Sequence, residues 1–212
     1  MKLAILAAGQ YPRTAYPQYL LQSADVLLCC DGALKTALDH GLKPQAVIGD
    51  MDSLCKAVAK KFTGEVVKVD EQDYNDLTKV MRYAREHYPD ANEITILGAT
   101  GKREVHAIGN MSLLMSYEQW WGFWKRGVTL QIVSDYCTAF AVPDSVKLQV
   151  GEGRKISFFT ADTSLNIKSK GLQWPLDNVV FDAWWKTTLN RATDDEVELK
   201  FNHPTPVLIV LE

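Results

Sequence analysis

The chain has 212 residues, 47% of them hydrophobic and 23% charged, with a formal net charge of −3. That length allows one large domain or two small ones around a buried core, and the composition is that of an ordinary globular protein. The charge balance excludes the basic footprint of a nucleic-acid binder; there is no polybasic run for a membrane surface and no apolar stretch long enough to span a bilayer.

The first apolar run, Leu3 to Ala8, is too short for a leader before it meets Gly9 and Pro12, and reads as a core strand. Val26 to Cys30, Ala46 to Ile48, Val66 to Val69, Ile94 to Leu97 and Leu130 to Val133 follow as further strands. They are apolar without strict alternation, as expected of strands covered on both faces. Between them lie helical patterns. One falls between Gly32 and Gly41, with Gly41 suited to a C-terminal cap. The clearest starts at Asn75, a good N-cap, and carries Leu77, Val80, Met81, Ala84 and Tyr88 on one face before Pro89. A third runs from about Val105 to the Trp120 region. This alternation predicts an α/β fold, a mainly parallel sheet with flanking helices, over residues 1–143. From Pro143 the pattern changes. Leu148 to Val150, Ile156 to Phe159, Leu165 to Ile167, Val197 to Phe201 and Val207 to Leu211 read as strands separated by turns, a small C-terminal all-β unit over 144–212.

The cysteines, Cys29, Cys30, Cys55 and Cys137, form no Cys-x-x-Cys pair. They read as buried free thiols in a reducing cytoplasm, not as a metal ribbon.

Chemistry concentrates where strands end. Asp50 and Asp52 follow the apolar run Ala46–Ile48. In an extended chain residues two apart project to one side, so both carboxylates can converge beyond the strand's carboxyl end, where open α/β sheets place ligands. Magnesium is the natural ion for such a pair; a helix cap by Asp52 or Ser53 is the competing reading. Asp70-Glu71-Gln72-Asp73-Tyr74-Asn75-Asp76 ends another strand, and Asp76 is either a dipole-favoured first-turn residue or a third metal carboxylate. Asp31-Gly32 ends a third strand. Gly98-Ala99-Thr100-Gly101-Lys102-Arg103 has the composition of a phosphate loop, but Ile96 and Arg103 stand where a Walker A motif needs Gly and Ser or Thr. Its backbone N–H groups and the Arg103 guanidinium can still meet phosphate. In the β unit, Trp174 sits among turn residues with a face that can stack on a cationic ring.

Taken in order, Asp31-Gly32, Gly49-Asp50-x-Asp52-Ser53, Gln72-Asp73-x-Asn75-Asp76, Gly98-Ala99-x-Gly101-x-Arg103-x-x-His106 and Gly171-Leu172-x-Trp174 resemble the thiamine pyrophosphokinase family across nearly the whole chain. The resemblance implies an N-terminal α/β catalytic domain, a C-terminal β-sandwich, and a homodimer with active sites between subunits. It implies transfer of diphosphate from ATP to the thiamine hydroxyl, with AMP leaving. By position, Asp50, Asp52 and Asp76 match magnesium ligands. Asp31, Asp73 and Arg103 match positions near the phosphates, and Gly98, Gly101 and Lys102 complete the ATP set. Gln72, Trp174 and Asn190 match the thiamine pocket.

The chain departs from the family pattern at three places. Val105 stands where aspartate is usual, Asn75 where threonine is usual, and Leu189 where serine is usual. Two other readings compete with an active kinase: a relative that binds thiamine or nucleotide without turnover, motivated by Val105, and a nucleotide-sugar enzyme using Asp50-x-Asp52.

Overall fold

The computed structural model describes residues 1–54 and 56–212. Cys55, expected as a buried free thiol, lies outside the described residues; Cys29 and Cys30 are buried free thiols, whereas Cys137, also expected to be buried, is only half-buried. Contacts divide the chain into two units, 1–110 with 127–135, and 111–126 with 136–212.

The first unit is α/β. Its strands are β1 (Lys2–Leu6), β2 (Val26–Cys30), β3 (Ala46–Gly49), β4 (Glu65–Lys68), β5 (Glu93–Leu97) and β6 (Thr129–Val133). They lie in the order β6-β5-β1-β2-β3-β4, and every pairing is parallel. β2 is buried along its whole length, because helices cover both faces. Helices α1 (Ala15–Gln22) and α2 (Leu34–Asp39) contribute Leu21, Leu34 and Ala37 to a cluster with Ala4, Leu6, Cys29 and Val47. Pro17 falls in the first turn of α1, where its missing N–H costs no helical bond. Gly41 closes α2 at φ 72°, the left-handed geometry of a C-terminal cap. A short helix, α3, covers Lys56–Ala59.

Helix α4 (Asp76–His87) packs against β2 and β3. Asn75 caps it: Oδ1 accepts the Thr78 N–H at 3.0 Å and the Thr78 hydroxyl at 2.8 Å. Helix α5 (Glu104–Trp121) follows β5.

The second unit carries two antiparallel sheets. One contains β7 (Thr138–Val142), β9 (Lys155–Phe159), β11 (Asn190–Arg191) and β13 (Val207–Leu211); the other contains β8 (Val146–Gln149), β10 (Ile167–Lys170) and β12 (Glu196–Phe201). Val142, Ile156, Phe158, Val207 and Ile209 from the first share one apolar cluster with Leu148, Ile167, Val197 and Leu199 from the second. This is a β-sandwich core.

Two expectations shift. Residues 136–143, expected in the first domain, group with the second unit, where β7 pairs antiparallel with β13. The strand expected at Leu165 begins at Ile167. Asp162 accepts the Ser164 N–H at 2.9 Å, and Leu165 N–H reaches the Asp162 carbonyl at 3.3 Å, which folds 162–165 into a turn.

Candidate active site

With every strand of the first unit parallel, the loops at their carboxyl ends share one edge. From β1 the chain moves outward through β2, β3 and β4, then returns to β5 on the other side of β1. The order reverses between β1 and β5, where an open sheet leaves a crevice for ligands.

A cavity of about 390 Å³ lies there. Ala7, Ala8 and Gly9 line it after β1, Asp31 and Gly32 after β2, Ser53 after β3, and Asn75 and Asp76 at the start of α4. Ala99 and Thr100 follow β5, and Lys102, Arg103, Val105, His106 and Asn110 complete the wall at α5.

Two glycines let the β1 and β5 loops close on each other. The Gly9 N–H meets the Gly98 carbonyl at 2.6 Å, and a Cβ on Gly9 would lie 2.3 Å from that oxygen. Gly98 has φ 64°, and a Cβ there would lie 2.7 Å from the Ala7 carbonyl. Gly98 is expected as part of a phosphate cradle, and this close approach by itself already requires a glycine there.

The acidic wall begins at Asp31, which is 4% exposed. Its Oδ1 accepts the Gly32 N–H at 2.6 Å and its Oδ2 the Ser53 N–H at 3.4 Å. Asp76 is half-buried, and burial pushes its carboxyl above the ordinary value. The charges of Asp31 and Asp50 add to that rise, while Lys79 opposes it. Lys79 is buried, with Nζ 3.6 Å from Asp76 Oδ1.

The geometry inferred for Asp50 and Asp52 is corrected. The segment is not extended: Met51 has φ 69°, and the Asp52 N–H bonds Asp50 Oδ1 at 3.1 Å. The chain turns at Met51, so the two carboxylates do not project side by side. That Asp52 N–H, then the Gln72 side chain and Lys79, hold Asp50 below the usual carboxylate value. Asp52, Gln72 and Asp73 are exposed.

The cavity thus joins Asp31, Asp76, Lys102 and Arg103, while Asp50 acts on Asp76 through its charge. Asp52, Gln72, Asp73, Gly98 and Gly101 are not among its lining residues. Gly101 and Lys102 border a second cavity of about 580 Å³ with Gln10, Tyr11, Arg13 and His40.

No group of three or more His, Cys, Asp or Glu forms a ready metal cage among the described residues. The donor set nevertheless suits magnesium: hard carboxylate oxygens whose mutual repulsion raises Asp76. This ion is commonly held by one or two carboxylates together with substrate phosphates, not by an all-protein cage. Across the cavity, α5 begins at Glu104 just after Lys102 and Arg103. Free N–H groups, the helix dipole and two cations make that end a place for anions. The Lys102 ammonium rests on the Ala8 carbonyl at 2.9 Å.

Four contributions were not foreseen. The Ala7–Gly9 loop was hidden by its small, neutral residues, although a glycine directly after a first strand pointed to it. Lys79 looks like an ordinary surface lysine in the sequence. Gly49 was noted only as part of a motif; a Cβ there would lie 2.8 Å from Asp31 Cγ. Asn110 donates to the Ala99 carbonyl at 2.8 Å and accepts from Asn75 at 3.4 Å, tying the β5 loop to the cap of α4.

In the second unit, Trp174 is 55% exposed and Asn190 is 4% exposed. Asn190 Oδ1 accepts the Trp174 N–H at 3.2 Å and the Arg191 N–H at 2.8 Å, and Nδ2 donates to the Trp174 carbonyl at 2.6 Å. Asn190 was expected to line a pocket; its amide is committed to holding the Trp174 backbone. Leu189, just before it, has φ 56°.

Comparison with known proteins agrees with both units. Residues 17–120 match the family model "Thiamin pyrophosphokinase, catalytic domain", and 139–207 match "Thiamin pyrophosphokinase, substrate-binding domain". Thiamine pyrophosphokinase of Bacillus subtilis (strain 168) is 35% identical over 156 residues, covering 70% of this chain and 69% of the relative. Thiamine pyrophosphokinase 1 of Oryza sativa subsp. japonica is 27% identical over 150 residues, 64% of this chain, and the match spans 54% of the rice protein's length. The fold is shared with the crystal structure of thiamine pyrophosphokinase from Bacillus subtilis, at TM-score 0.75 and 20% identity over 100% of this chain and 98% of that one. It is also shared with thiamin pyrophosphokinase from Candida albicans, at TM-score 0.80 and 14% identity over 100% and 89%. With both domain models matched in order and a relative of this identity, the chain belongs to the thiamine pyrophosphokinase family.

Proposed function

We propose that this chain is an ATP-dependent thiamine diphosphokinase. The thiamine hydroxyl oxygen bonds to the β-phosphorus of ATP, the bond from that phosphorus to the α–β bridging oxygen breaks, and the hydroxyl proton is lost. The products are thiamine diphosphate and AMP. One observation carries the reading: in a chain of this family, the switch-point cavity is lined both by Asp31 and Asp76 and by Lys102 and Arg103 beside a helix N-terminus.

Such a transfer depends on positioning and charge neutralisation more than on covalent chemistry. Lys102, Arg103 and the first N–H groups of α5 orient the phosphates. Asp50, Asp52 and Asp76 are the residues that would hold magnesium, and when bound that ion supplies positive charge to the phosphate oxygens. Asp31 and Asp73 lie beside the phosphate path, and Gly98 and Gly101 keep its backbone close. Trp174 offers an exposed indole face to the cationic thiazolium of thiamine, Asn190 fixes the backbone behind it, and Gln72 stands at the position the family pattern gives to thiamine. We read the working assembly as a cytoplasmic homodimer in which Trp174 and Asn190 of one protomer serve the site of its partner.

The test is direct. Purified protein incubated with thiamine, ATP and Mg²⁺ should release AMP and thiamine diphosphate in equal amounts. Thiamine binding without either product would overturn the enzyme reading. Sedimentation equilibrium tests the dimer: a monomer that remains fully active would remove the partner's part in the site.

A further inference from the structure

A lysine ammonium is expensive to bury unless a carboxylate meets it. The Lys79 side chain is 2% exposed, with Nζ 3.6 Å from Asp76 Oδ1. It stands one turn into α4, which packs on β2 and β3, the strands that end in Asp31 and Asp50. Asp31 is itself buried in the same cavity wall. The other lysines nearby are exposed: Lys68 is paired to Asp70 at 2.7 Å, and Lys102 rests on the Ala8 carbonyl at 2.9 Å. Lys79 is therefore the cation sequestered with the carboxylates.

We infer that Lys79 is the resident counter-charge of the carboxylate cluster, a positioning residue that holds the Asp76 side chain in place before a divalent cation arrives and that moderates how tightly the cation is then held. The inference rests on the magnesium reading of the proposed function. The Lys79 ammonium lies 3.6 Å from Asp76 Oδ1 with almost no solvent beside it to screen its charge. A fixed positive charge beside the cluster also repels the incoming ion. The same residue thus stabilises the metal-free fold and weakens metal binding, a pairing of effects that packing alone does not produce.

The experiment compares wild type, Lys79→Met and Lys79→Arg as full-length protein, reading Mn²⁺ affinity by electron paramagnetic resonance and thermal melting with and without Mg²⁺. Lys79→Met should melt lower in chelator, bind Mn²⁺ roughly tenfold more tightly because one unit charge leaves the site, and regain most of the lost melting temperature when Mg²⁺ is added. Lys79→Arg should resemble wild type in both readouts. A Lys79→Met protein that melts lower with unchanged or weaker Mn²⁺ binding would reduce Lys79 to a packing residue and overturn the inference. Absence of Mn²⁺ binding in wild type would overturn the magnesium reading, and the inference with it. Should Lys79→Met not fold, Lys79→Gln removes the charge while keeping a donor for Asp76, and the same tighter binding is expected.

Discussion

The Cβ that Gly49 lacks would lie 2.8 Å from Cγ and 2.9 Å from Cβ of Asp31. The last residue of β3 is bare because the neighbouring strand ends in a carboxylate that needs the space. Gly49→Ala should therefore act through Asp31. Overpacking at a buried point costs about 1–3 kcal/mol, and if Asp31 faces the phosphates as proposed, displacing it by about 1 Å costs on the order of 100-fold in rate. Melting curves and kcat/KM measured together check this; a variant with lowered stability and full activity would remove Asp31 from the chemistry.

The carboxylates should separate by what each one holds. Asp76→Ala and Asp50→Ala are expected to abolish product formation. Asp50→Ala also removes the acceptor of the Asp52 N–H and so loosens the turn at Met51. Asp52 is exposed, and Asp52→Ala should leave melting unchanged while abolishing activity. Activity surviving Asp52→Ala would remove Asp52 from the proposed magnesium ligands.

In the second unit, Trp174 and Asn190 predict opposite patterns. Trp174→Ala removes an exposed ring and should raise the KM for thiamine, leaving the KM for ATP and the melting temperature near wild type. Asn190→Ala removes the partners of the part-buried Trp174 N–H and carbonyl, at about 1 kcal/mol. It should lower stability and raise the thiamine KM together. Equal effects on the ATP KM would place both residues away from thiamine.

The strand ends were legible because burial on both faces writes a continuous apolar run, as in Val26–Cys30, and because Asn75 announces its helix as a cap. The placement of the acidic residues on one edge followed from that alternation. What escaped has a common cause: it depends on contacts between segments distant in sequence. Nothing local says that Lys79 turns inward, or that Gly49 leaves room for Asp31. The turn at Met51 was missed for another reason. An Asp carboxylate can bond the backbone two residues on and support a positive φ at a non-glycine residue, which defeats the extended geometry assumed for Asp50 and Asp52. Strand β7 escaped because Ala139 and Ala141 give its buried face a weak apolar signature.

Val105 offers a gain-of-function test. It is 68% exposed in the first turn of α5 and lines the cavity, where the family pattern has aspartate. Val105→Asp places a carboxylate at a helix N-terminus, worth about 0.3–1 kcal/mol to the helix, so folding should not suffer. If the site uses that carboxylate, kcat/KM should rise roughly tenfold, about 1.4 kcal/mol in the barrier. An unchanged rate would show that the wall opposite Asp76 works without it.

The sandwich carries its own pH dependence at Asp162. The Ser164 hydroxyl bonds its Oδ1 at 2.6 Å and His203 Nε2 its Oδ2 at 2.7 Å. These two contacts, in that order, with the Ser164 N–H, hold the Asp162 carboxyl well below the ordinary carboxylate value. The sign follows from linkage: a carboxyl with a depressed folded-state value favours folding while it is ionised. That contribution is complete above the unfolded value, about 3.9, and is lost as pH falls through the folded one. Asp162→Asn should then melt below wild type at pH 7, by an amount corresponding to about 1–3 kcal/mol for bonds to a charged acceptor. The gap should close as both proteins are taken to lower pH, since wild type alone gives up the ionised carboxylate. A gap that stays constant down the acid limb would mean that Asp162 supports the 162–165 turn by shape and hydrogen-bond count, with its charge contributing nothing.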